Sequence, residues 1–379
     1  MSSDQLISWR RHLHSIAETA FTETNTAAYI ADQLRELGVE VATNIGGTGV
    51  VGTLKRGSGT RAIGLRADMD GLPLHEKSGA PYAPATSGSM HACGHDGHMT
   101  MVLGAAAELA HDDSFDGTVH FVFQPAEEPG KGAQAMIDDG LFTRFPMNEI
   151  YGIHNMPGWP EGHLLTRSGA LMASEDNFII RIVGRGGHAS RPQLVVDPIV
   201  IAAEVITALQ TIVSRSIDPS QSGVVSCTEV FTDGSRNAIP NEVIIKGDTR
   251  SYDRDVQEKL ESQMRQLVEG ICAAHGAQGT VEYTYEFEPT FNDEMCTAVA
   301  VTSALKVAGA QCVDGDCSQI MASEDFGVFT RHVPGCFVFL GMGENHTPLH
   351  NSEFNFNDNV LQTGVDFYVD VVRSQLGKS

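Results

Sequence analysis

The chain has 379 residues, enough for two ordinary domains, and its 41% hydrophobic content supports a core in each. Lys and Arg total 25 against 48 Asp and Glu, a formal net charge of -23; so acidic a surface argues against nucleic acid, whose phosphates reward a basic stripe, and against anionic membranes. The seven cysteines are scattered and odd in number, no apolar run approaches membrane-spanning length and the N-terminus lacks a signal-peptide core, so a cytoplasmic protein with reduced thiols is expected.

Helical and strand patterns alternate from the start. Asn25 to Leu37 spaces its apolar residues as a helix does and stops at Gly38, a C-terminal cap. Val39 to Val41, Gly49 to Leu54 and Ala62 to Ala67 read as short strands, Met99 to Ala110 as a helix, Thr118 to Phe123 as a strand, Ala133 to Asp139 as a short helix and Glu149 to His154 as a strand. This alternation predicts an α/β domain with a mostly parallel central sheet and helices on both faces. The middle of the chain has another rhythm. Phe178 to Val183, Gly223 to Phe231, Glu242 to Arg250 and Thr280 to Phe287 read as strands, with helices at Asp197 to Ser214 and Arg254 to His275. That order, βαββαβ, predicts an inserted ferredoxin-like α+β domain over residues 169–289. The first pattern resumes with a helix at Glu294 to Ala308, a strand at Cys336 to Leu340 and a helix at Asn359 to Leu376, so residues 1–168 and 290–379 form one domain.

Functional residues gather at the carboxyl ends of strands in such a sheet. The segment His91-Ala92-Cys93-Gly94-His95-Asp96-Gly97-His98 puts three imidazoles, a thiol and a carboxylate in eight residues, side chains that bind zinc and related metals. A structural zinc site would offer a second Cys/His pair at regular spacing, and the chain has none; any further ligands must come from distant positions, as in an enzyme. Asp68 and Asp70 follow one strand, Glu127 and Glu128 another, and His154 ends a third. Of the two adjacent glutamates, one could ligate a metal while its neighbour takes a proton from water; a solvated acidic turn is the plainer alternative. The tail segment His346-Thr347-Pro348-Leu349-His350 offers one more imidazole, or simply a polar loop.

Together these segments resemble the M20 metallopeptidase and amidohydrolase family, in particular its N-acyl-amino-acid, hippurate and auxin-conjugate hydrolase branch. The resemblance runs nearly end to end, through Leu65 to Pro73, His91 to His98, Gln124 to Glu128, Gly152 to His154, Gly186 to Ser190, Asn237 to Pro240, Ser323 to Phe326 and Leu349 to Asn351. It implies two divalent metal ions, zinc or manganese first and cobalt or nickel as substitutes, held by Cys93, His95, Glu128, His154 and His350. Glu127 is then the general base, and Asp70 orients a ligand, a task Asp96 or His98 could share. His188 is implied to assist catalysis and Asn237 to hold substrate, both from the inserted domain, which in the family acts as a lid and dimer surface. Arg250 could pair with a substrate carboxylate or form an ordinary salt bridge. The expected enzyme is a metal-dependent amidohydrolase cleaving N-acyl amino acids, acting on small molecules as a homodimer or higher oligomer. A dipeptidase or carboxypeptidase of the same family, a cysteine hydrolase using Cys93 with His95, and a non-catalytic binding protein are the alternatives.

Overall fold

Every residue of the strand Ala62–Asp68 is buried, which requires cover on both faces of its sheet. The computed structural model, which describes residues 1–84 and 88–378, supplies that cover in a mixed α/β unit made of Met1–Leu171, Phe291–Ser318 and Asp325–Ser379. The eight strands of its main sheet run in the order Glu40–Ile45, Gly49–Arg56, Gly117–Gln124, Ala62–Asp68, Glu149–Met156, Gly335–Gly341, Leu164–Leu165, Val313–Asp314. The four from Gly117–Gln124 to Gly335–Gly341 are parallel. Antiparallel pairing attaches the two strands at one edge and Leu164–Leu165 near the other.

The helix His95–Ala110 is buried on nearly all sides, from His95 through Leu109 with only Glu108 partly open. An apolar helix without a polar face must sit inside its unit, and this one packs in the main core with the C-terminal helix Leu361–Leu376 and the N-terminal helix Ser3–Ser15. It begins four residues before the expected Met99. Its first turn, His95 to His98, is polar, so apolar spacing alone could not include it. The C-terminal helix starts at Leu361 rather than Asn359, after a single 3-10 turn, and Ser3–Ser15 carries no sequence-based expectation at all.

The second unit, Met172–Thr290 with Gln319–Glu324, is built on one antiparallel sheet. Its strands run Gly223–Thr232, Glu242–Ser251, Glu175–Val183, Gln278–Phe287, the order a ferredoxin-like βαββαβ chain takes. Helices Pro198–Thr211 and Arg254–Ala274 pack on it through Ile201, Val205, Leu209, Leu260, Met264 and Val268. The span Pro198–Ser216 is 19 residues with a mean hydropathy of 1.4 and 28% of it is buried. By length and composition alone it could cross a membrane, though Glu204, Gln210 and Arg215 interrupt its apolar run. In this fold its apolar side instead faces the strands of its own unit.

Candidate metal centre

Gly94 separates Cys93 from the start of the buried helix and adopts φ 92°. A Cβ there would lie 2.1 Å from the Asn155 side-chain oxygen, so the turn that brings Cys93 and His95 side by side is open only to glycine. His95 is fully buried, and its Nδ1 lies 2.8 Å from the backbone carbonyl of Asp70. His154, near the end of strand Glu149–Met156, sets its Nδ1 2.7 Å from the carbonyl of Asn155. An imidazole donating Nδ1–H to a carbonyl keeps its lone pair on Nε2. His154 Nε2 lies 3.4 Å from the Cys93 sulfur, close to the ~3.6 Å separation that one tetrahedral zinc imposes on a bound sulfur and nitrogen.

The glutamates arrive on the turn after strand Gly117–Gln124. Asp70 fixes that turn: its two carboxylate oxygens accept the backbone N–H groups of Glu127, at 3.0 Å, and Glu128, at 3.1 Å. Gly132 closes it, since a Cβ there would fall 1.5 Å from the Pro125 carbonyl oxygen. His350 comes from far along the chain and is tied by its N–H to the carbonyl of Ala92, 2.9 Å away. Its φ is 59°, a left-handed conformation that costs a residue with a side chain about 1–3 kcal/mol. Its Nε2 stands 3.5 Å from Glu128 Oε2.

Ligand atoms of Cys93, His95 and His154 therefore lie within 4.8 Å of one another, as do those of Cys93, Glu128 and His350, and those of His95, Glu127 and Glu128. His95 Nε2 and Glu128 Oε1 are buried without a hydrogen-bond partner, a costly state for polar atoms that a bound cation relieves. The local field is strongly negative. Burial disfavours a charged His95, yet Asp68 and Asp70 raise it to about 10. Burial, with Asp70 and Asp68 against the opposing pull of His95, raises Glu128 to about 7. Burial and the neighbouring His98 push His154 well down, and burial with His95 lowers His350. Soft sulfur, imidazole nitrogen and carboxylate oxygen in a negative pocket suit a divalent metal.

Two residues of the His91–His98 segment are already taken by other partners. His98 meets Asp68 Oδ1 at 2.6 Å and the Asn155 N–H at 3.1 Å, so both ring nitrogens are occupied. Asp96 turns to His14 at 2.8 Å and Arg10 at 3.5 Å. Asp68 in turn accepts from Arg66 at 2.9 Å. Arg66 also reaches Gln124, at 2.8 Å, and Asp325, at 3.2 Å, and Asp325 accepts from Gln124 and from the N–H of Ala133. Arg66 and Asp325 received no role from the sequence. For Arg66 the signal was present, a charged residue within the fully buried strand Ala62–Asp68.

In the second unit, Ala238 pairs with His188 across a two-stranded ribbon, and the Ala189 N–H donates to the Asn237 carbonyl at 3.0 Å. His188 and Asn237 are thus neighbours, both exposed. Arg250 is engaged inside its own unit by Asp248 at 2.9 Å, Glu175 at 2.7 Å, Ser323 at 2.9 Å and the Met321 carbonyl at 2.8 Å.

Residues 64–374 match the model of peptidase family M20/M25/M40. The chain is 40% identical to a hippurate hydrolase of Campylobacter jejuni, covering 97% of this chain and 95% of that protein. It is 35% identical to thermostable carboxypeptidase 1 of Saccharolobus solfataricus, over 95% and 93%. Its fold superposes with a TM-score of 0.87 on a Bacillus subtilis protein described as a dinuclear metal binding peptidase from the M20 family, at 30% identity over 99% of this chain and 98% of that one.

Proposed function

This chain belongs to peptidase family M20/M25/M40 and is a hydrolase of amide bonds, and from that premise we propose that it cleaves N-acyl amino acids to a carboxylic acid and a free amino acid. The observation that carries the proposal is the convergence of Cys93, His95, Glu128, His154 and His350 around two buried polar atoms that lack hydrogen bonds. These five residues would hold two divalent metal ions, in keeping with the dinuclear site described for the Bacillus subtilis relative; zinc, manganese, cobalt and nickel all tolerate this donor set. When bound, such ions lower the pKa of water and polarise a carbonyl.

The chain's own residues supply the remaining steps. Cys93 would hold the metal as thiolate and so would not serve as a nucleophile. The carbonyls of Asp70 and Asn155 hold His95 and His154 in the tautomer that offers Nε2. Glu127, 6% exposed and anchored through its amide by Asp70, accepts a proton from the attacking water on a carboxylate oxygen and returns it to the leaving amine. His188 and Asn237 hold the carbonyl oxygen or the substrate carboxylate. For Arg250 we propose the ordinary salt bridge over the substrate contact, since two carboxylates, a hydroxyl and one carbonyl of its own unit meet its donors. We further propose that the second unit serves as lid and dimer surface.

Benzoyl, acetyl and long-chain acyl amino acids assayed beside dipeptides, before and after chelation, test this reading. Acylated substrates should be preferred, and activity should vanish with chelator and return with zinc or manganese. A preference for unblocked dipeptides would favour the peptidase reading that the carboxypeptidase relative suggests. Turnover that survives chelation and is lost on alkylation of Cys93 would favour a cysteine hydrolase.

A further inference from the structure

Glu23 is fully buried and stands immediately before the helix Thr24–Glu36, where a carboxylate ordinarily caps the free amides of the first turn. It makes no such bond. Glu18 takes that task instead, accepting from the N–H groups of Asn25 at 2.9 Å and Thr26 at 3.0 Å. Glu23 is thereby free to point inward. Its Oε1 accepts the N–H of Ala126 at 2.9 Å, and its Oε2 accepts from the Thr48 hydroxyl at 2.5 Å.

Ala126 is the residue before Glu127, and its φ is 49°. A residue with a Cβ enters this left-handed region only when its surroundings require it. Three consecutive amides, those of Ala126, Glu127 and Glu128, are therefore gripped by two carboxylates from elsewhere in the chain, Glu23 and Asp70. Asp70 sets the two glutamates. Glu23 sets the backbone twist one residue earlier, on which the direction of the Glu127 side chain depends. On the far side of Ala126, its carbonyl accepts from Gly132 at 2.9 Å, so the residue is fixed from both ends.

We infer that Glu23 is a positioning residue for the general base, holding Ala126 in its left-handed turn so that the Glu127 carboxylate faces the metal centre. The inference rests on the assignment of Glu127 as base. Burial pushes the Glu23 carboxyl above its ordinary range, against the hydrogen bonds from Thr48 and the amides. A neutral glutamine can therefore replace it, accepting from Ala126 with its oxygen and meeting Thr48 with its amide.

The test compares Glu23→Ala, Glu23→Gln and the double variant Glu23→Ala with Ala126→Gly in the full chain. Glu23→Ala should lower kcat about 10- to 100-fold, the scale expected when a reacting group is displaced by about an ångström. KM and bound metal per chain should stay as in the parent. Glu23→Gln should restore kcat. Ala126→Gly should relieve part of the loss, because glycine reaches the left-handed turn without help; a merely structural carboxylate predicts no such rescue. Parent-like kcat in Glu23→Ala would overturn the inference, as would a loss that neither glutamine nor glycine relieves, or one that tracks lost metal. Glu127→Gln assayed alongside separates the two claims. If it keeps turnover, the base assignment itself is wrong; if it is inactive while Glu23→Ala is normal, only the positioning role fails.

Discussion

The turn carrying Glu127 and Glu128 and the ribbon carrying His188 and Asn237 are held in opposite ways. Around the glutamates all but His350 is largely buried, and the chain's own carboxylates and carbonyls fix the three amides of the turn and the rings of His95 and His154. The ribbon is exposed, and the His188 ring meets Ser190, two residues on, through its N–H at 3.1 Å and its hydroxyl at 2.8 Å. The first region has met the cost of ordering before substrate arrives, as metal binding and proton transfer demand. The second leaves its side chains exposed with only near-neighbour partners, so ordering them draws on the binding energy of the substrate. Preorganisation is concentrated where charge must be placed.

Four substitutions sharpen or break this contrast. Glu127→Gln should have the largest effect, lowering kcat about 10³-fold, within the usual range for a lost general base, with metal content intact by elemental analysis. His188→Ala should lower kcat/KM about 10²-fold, as for a lost oxyanion donor, again with metal retained. If it instead released metal, the ribbon would be part of the prebuilt centre and the contrast would fail. Arg250→Met strips a partner from Glu175 and Asp248 and should cost about 1–3 kcal/mol in denaturant unfolding with KM nearly unchanged. A tenfold rise in KM at unchanged stability would return Arg250 to the substrate.

The smallest effect is a pH dependence beside the centre. Burial opposes a charged His14, but Asp96 and Glu76 raise it to about 9. A raised histidine stabilises the fold fully below its unfolded value near 6.5 and loses that contribution as pH rises through about 9. The melting temperature should therefore fall between pH 6.5 and 9.5, and His14→Gln should flatten that slope. Parallel slopes would show that this buried pair does not govern alkaline stability.

Much of this was legible in the chain. Strands such as Gly335–Gly341 announce themselves as unbroken apolar runs, and the βαββαβ rhythm gives the second sheet its order. Cys93, His95, Glu128, His154 and His350 were named as a set by the resemblance to the M20 family, since residue type alone left a solvated turn open for the glutamates and a polar loop for His350. What stayed hidden depends on contacts between distant residues. Nothing local shows that Glu23 forgoes its cap, since the answer lies in Glu18 and in a turn 103 residues away. Nor does spacing show that Arg250 is already engaged, or that His98 is consumed by Asp68 and Asn155. Residue type suggests which groups can do chemistry; burial and partners decide which of them are available for it.

The bond from Gln124 to Asp325 joins residues 201 apart. At roughly 5–20 residues per second a ribosome takes about 10–40 s to make that stretch. Until then Arg66 and Gln124, destined for the interior, have no Asp325 to receive their protons. The amino-terminal half thus leaves the ribosome with the turn after Gln124 unfinished, and the late-made Asp325 completes its hydrogen bonds. A nascent chain of this enzyme should gain its activity in one late step.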